Sequence, residues 1–84
     1  HWGMMTGYHV TTPAKLASYE ATGGILPPVR FFTTLEAAVK WQQRTGRPII
    51  LKMECRHAYP LPDHRPSAWT PEIVRRWISM EIQR

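Results

Sequence analysis

A single cysteine, Cys55, in 84 residues excludes an internal disulfide framework and leaves too few thiolates for an all-cysteine metal site. Long apolar runs are missing as well, so no stretch is suited to span a bilayer as a helix, and no membrane partner is expected. No charged segment followed by an apolar one reads as a secretory leader. With the lone thiol, this makes a reducing, cytoplasmic setting the expectation. The high charge and low hydrophobicity of disordered chains are also lacking: 20% of residues are charged and 43% hydrophobic. A chain of this length buries roughly 60–65% of its unfolded surface, enough for one modest core and not for two.

Acidic residues are few, six against eleven Lys and Arg, which leaves a formal charge of +5. Such a field attracts polyanions. Lys15, Lys40 and Lys52 are the only lysines, so most cations are arginines, whose planar fork suits phosphate and carboxylate. Arg30, Arg44, Arg47, Arg75 and Arg76 are candidate phosphate contacts for a basic module that binds nucleic acid without chemistry. The competing reading is a soluble surface with an ordinary positive excess.

Eight prolines punctuate the chain into short elements. Residues 1–6 (HWGMMT) read as a cloning remnant or disordered start, and residues 7–84 as a single domain. Gly7 to Thr12 is rich in β-branched and aromatic residues and reads as a strand. Thr12 then precedes Pro13 as an N-cap before a helix-opening proline, and Gly23 supplies a left-handed stop, which predicts a helix over 13–22. Val29 to Phe32 is a short strand. Thr33 and Glu36 stand at capping-box spacing, and Leu35, Ala38, Val39 and Gln42 mark a helix over 35–45, closed by Gly46. Pro48 to Cys55 is a strand that is apolar throughout at its start and alternates later, as an interior strand does. Arg56 to Trp69 carries three prolines without a period and reads as a loop. Thr70–Pro71–Glu72 repeats the helix-start signature, with Ile73, Val74, Trp77 and Ile78 as an apolar stripe. Ser79 to Arg84 alternates as a short edge strand. The expected fold class is therefore α+β, a small mixed sheet of three to four short strands with three helices. So few strands leave exposed edges, which makes a second copy or a protein partner a natural way to complete the sheet.

Chemistry concentrates at few positions. Alternation places His9 and Thr11 on one face of the first strand, opposite Tyr8 and Val10. A histidine at a sheet mouth can hold a ribose hydroxyl or act as acid or base near neutral pH. Cys55, His57, Asp63 and His64 are all possible zinc ligands, but their spacing matches no common closed site, and no metal is expected. Cys55 and His57 are two apart on a strand and could pair as thiol and base, without an evident third group to orient them. Phe31, Phe32, Trp41, Tyr59, Trp69 and Trp77 include possible stacking platforms. Trp69, just before a helix cap, is the best candidate for an exposed ring. Glu54 and Glu81, at polar strand positions, are candidate carboxylates.

Tyr8–His9–Val10–Thr11, the helix after it, Val29–Arg30–Phe31–Phe32–Thr33 leading into Leu35–Glu36–Ala37–Ala38, and the strand to Glu54 together resemble a known pattern. It is that of minimal ADP-ribosyltransferase-like domains, the group that includes RNA 2′-phosphotransferase relatives, and it covers roughly residues 8–54. The resemblance implies NAD or a related nucleotide as ligand. His9 would hold the ribose with Thr11 beside it, and Phe31, or else Phe32, would stack on nicotinamide. Glu81 would be the late carboxylate that orients the ribose for transfer. Val10 stands where the pattern carries Gly, and Phe lacks the hydroxyl of the usual Tyr. The implied function is thus nucleotide binding, with catalysis retained or degenerate.

Overall fold

The computed structural model describes residues 4–64 and 66–80. Six strands form one sheet: β1 (Met5–Thr11), β2 (Val29–Phe32), β3 (Ile49–Cys55), β4 (Tyr59–Pro60), β5 (Ser67–Thr70) and β6 (Trp77–Met80). Their order is β4-β5-β2-β1-β3-β6, and every registered pairing is antiparallel. Two helices, α1 (Pro13–Thr22) and α2 (Leu35–Thr45), complete the described fold. The α+β class stands, but the expected mixed sheet of three to four strands with three helices does not. The sheet is antiparallel with six strands, and the third helix is absent from the described residues.

Both helices form where their capping chemistry lies. Thr12 accepts from the Lys15 N–H at 3.3 Å, and Gly23 takes the left-handed stop at φ 81°. The α2 N-cap is Thr34, one residue beyond the position expected, and it accepts from the Ala37 N–H at 3.2 Å. Thr33 instead donates from both its N–H and its hydroxyl to the Pro66 carbonyl, tying β2 to the turn before β5. Gly46, at φ 73°, ends α2, and the buried Gln42 amide donates to the Pro48 carbonyl at 2.9 Å, fixing the turn that carries Arg47.

The missing helix has a local cause. Thr70 is buried in β5, and its hydroxyl accepts from the Glu72 N–H at 3.1 Å, a turn rather than a helix start. The Glu72 carboxylate caps other backbone, accepting from the Arg56 and His57 N–H groups at 2.6 and 2.8 Å. Val74 then makes two backbone bonds with Ile25, a bridge that no helix could form. Trp77 to Met80 pairs along β3. Within the stretch read as a loop, Pro60 sits on the edge strand β4, where its missing N–H is harmless, and Ser67–Thr70 pairs with β2. β1 starts at Met5, so pairing of Met5 with Cys55 and Thr6 with Glu54 takes two residues of the presumed start into the sheet.

The sheet has a core on each face. On one, Val29, Phe31, Leu51, Met53, Cys55 and Ala68 pack with Ile25 and Val74, and with Leu16 and Tyr19 of α1. On the other, Val10 and Ile50 pack against Ala38 of α2, flanked by Tyr8, Phe32 and Val39. α1 buries no residue fully. It stands off the sheet on two half-buried side chains, and the gap it leaves positions the site. Among the described residues no helix is long and apolar enough to cross a membrane.

Candidate functional site

β1 pairs with β3 along all seven of its residues, yet its registered pairing with β2 is the single pair Tyr8↔Phe32. Toward Thr11 the ladder with β2 lapses, and a hollow of about 560 Å³ opens between β1, β2, α1 and the end of α2. His9 sits at the parting. Its Nδ1 lies 2.6 Å from the Arg30 carbonyl oxygen and its Nε2 3.0 Å from the Tyr19 hydroxyl. A carbonyl only accepts, so Nδ1 carries the proton, and in the neutral ring Nε2 accepts from Tyr19. Thr11, fully buried, donates in turn to the Tyr19 oxygen at 3.4 Å. The result is a directional chain: Thr11 hydroxyl, Tyr19 hydroxyl, His9 ring, Arg30 carbonyl. Tyr19 is further held by ring contacts, 5.7 Å from His9 and 6.4 Å edge-on to Trp77.

Burial lowers the His9 pKa from its ordinary 6.5, and the nearby Lys15 and Arg47 charges add to that, against the Arg30 carbonyl bond that raises it. The imidazole is therefore held neutral, a base that can share the Tyr19 proton. Lys15, Arg30 and Arg47 line the hollow with His9 and His64, and no Asp or Glu does among the described residues. Three fixed cations in a concave site without a carboxylate make a trap for an anion.

The residues expected from sequence are brought together in part. His9, Arg30 and Arg47 line the hollow, and Thr11 touches it through Tyr19. Phe31 also lines it but is only 4% exposed, its ring laid over Gly7 so closely that a Cβ there would collide with it. The available ring is Trp41, 39% exposed, which sits 6.0 Å from the Phe32 ring and has the Arg44 guanidinium 6.0 Å from its own centroid. Arg75 and Arg76 lie on the segment between Val74 and β6, outside the lining. Glu81 lies outside the described residues. Glu54 is exposed on β3. Lys15 and Tyr19 were not singled out by sequence.

The other candidate chemistry is not assembled. No group of three or more His, Cys, Asp or Glu among the described residues is placed to hold a metal ion. Burial pushes the Cys55 thiol up from its ordinary value, the Glu72 charge adds to this, and a Thr70 hydrogen bond only partly opposes it. That is the opposite of an activated nucleophile. Compared with protein-family models, curated proteins and solved structures, the chain matches none.

Proposed function

We propose that the chain binds a nucleotide, NAD or a related one, in the hollow where β1 and β2 part. The observation that carries this reading is the lining itself: Lys15, Arg30 and Arg47 with no carboxylate among the described residues, beside the partly exposed Trp41. Its volume, about 560 Å³, falls in the range of small-molecule sites. Phosphates meet the cations, and the base or nicotinamide meets Trp41 rather than the core ring of Phe31. His9, the ribose-holding residue by resemblance to ADP-ribosyltransferase-like domains, acts as a pair with Tyr19, whose hydroxyl is the group nearest to hand for a ribose oxygen. A transferase reaction adds a carboxylate at the ribose, the role of Glu81 in this reading. A cytoplasmic setting accords with the single buried thiol of Cys55.

Calorimetric titration of NAD and of ADP-ribose tests it. Both should bind, and Arg47→Ala should weaken them roughly tenfold or more, as loss of a charged hydrogen bond does, while the melting temperature holds. Absence of heat with either ligand, or affinity indifferent to Arg47→Ala and His9→Ala alike, refutes it.

One observation favours a second reading. Arg44 stands 6.0 Å from the Trp41 ring, so Arg30, Arg44 and Arg47 gather at one side of the molecule as a phosphate-contacting surface for nucleic acid. A partner chain or second copy would find its place at the sheet edges, β4 and β6.

A further inference from the structure

From the rim of the hollow outward, three strands carry a row of side chains on one face. Tyr59 of β4 registers with Trp69 of β5, and Trp69 registers with Arg30 of β2. Directly opposed residues on antiparallel strands point to the same side, with neighbouring Cβ atoms about 5 Å apart. The Tyr59 and Trp69 rings lie 5.1 Å apart at 33°. Tyr59 is 52% exposed, Trp69 half-buried and Arg30 exposed. The row is on the α2 side of the sheet, where Arg30 shares its face with Phe32, but α2 packs on β1, β2 and β3, leaving the outer strands to solvent.

An aromatic pair left open on a sheet is costly in water, and its energy is recovered by whatever flat group covers it. We propose that Tyr59, Trp69 and Arg30 form a stacking platform for single-stranded nucleic acid. Rings at cross-strand spacing match unstacked bases, and the arginine at the row's end meets a phosphate or stacks in turn. Charge chooses the occupant. β2, β4 and β5 carry no carboxylate, the chain is +5, and Arg30 leads directly to the cationic hollow. A duplex hides its base faces and cannot use the rings. The platform is independent of nucleotide binding in the hollow, sharing Arg30 alone, and it supplies base contacts to the phosphate-binding reading.

Fluorescence anisotropy with labelled oligonucleotides of about eight nucleotides, within the usual site size of sheet-face binders, tests it against a duplex of the same length. The single strand should bind more tightly than the duplex. Tyr59→Ala should weaken the single strand at least about fivefold, the lower end for one stacked base, and leave the duplex unchanged. Tyr59→Phe should restore binding, since the ring and not the hydroxyl acts. Thermal melts confirm that both variants fold. Equal affinity for single strand and duplex, unaffected by Tyr59→Ala but reduced by Arg44→Ala, overturns the platform while sparing the phosphate surface. Binding of neither nucleic acid overturns both, and leaves NAD binding to its own titration.

Discussion

His9 is the residue on which structure and chemistry meet. Both of its ring nitrogens are bonded, to the Arg30 carbonyl and the Tyr19 hydroxyl, and in the neutral ring Nδ1 donates while Nε2 accepts. Burial, with the Lys15 and Arg47 charges and against the Arg30 carbonyl bond, holds its pKa in the folded chain below the 6.5 of an unfolded one. Between those two values the unfolded chain binds more protons, so stability is full above pH 6.5 and falls as pH drops toward the folded value. Urea denaturation between pH 7.5 and 5 should show this loss, at most about 1.4 kcal/mol per pH unit for one proton. His9→Gln should flatten it. A profile as steep in the variant as in the natural chain would show that His9 is not held neutral. Glu72 enters only at lower pH: its carboxyl is held below 4.5, chiefly by the His57 N–H, so its contribution is lost as pH falls through that lower value. At this scale sequence was informative in places. Strand alternation put His9 and Thr11 on a shared face, whereas Tyr19 and Lys15 had no signal of their own. They come to the site because α1 folds back over β1, a matter of chain path and not of spacing.

Among the elements, the two helices were legible to their end residues because caps are local: Thr12 before the first, Gly23 and Gly46 after them, and only the second N-cap shifted, from Thr33 to Thr34. The third was misread for the same reason that made it look convincing. Thr70, Pro71 and Glu72 carry start-signal chemistry, but each polar group finds a partner outside a helix, and Val74 finds Ile25. Ile73, Val74, Trp77 and Ile78 fit a helical stripe and a bridge-then-strand equally well, and only the open edge of β3 decides between them. β4 and β5 were hidden by the prolines around them. Phe31 of β2 lies so close to Gly7 of β1 that a Cβ there would collide with its ring. Gly7→Ala should therefore cost about 1–3 kcal/mol through overpacking, read from denaturation midpoints, and should weaken any ligand of the hollow by displacing the β2 wall. A Gly7→Ala protein as stable as the parent would mean that this contact is slack.

For the whole molecule, a sheet covered by α2 on one face and only propped by α1 on the other has its cavity where α1 and the end of α2 both reach the parting of β1 and β2. Positive charge then reaches the cavity from α1, β2 and the turn after α2 at once. Net charge raised the expectation of an anionic partner; the convergence of Lys15, Arg30 and Arg47 needed the fold. Burial is the main cause of the depressed His9 pKa and the Lys15 and Arg47 charges add to it, so an anion that neutralises those two charges should shift it upward. The most direct measurement is an NMR titration that follows the His9 imidazole and the Trp41 indole N–H as ADP-ribose is added. Saturable shifts of both signals, with the His9 pKa moving upward in the bound state, are the result predicted. Signals that stay fixed, or a His9 pKa unchanged at saturating ligand, would contradict an anion-binding hollow at the parting of β1 and β2.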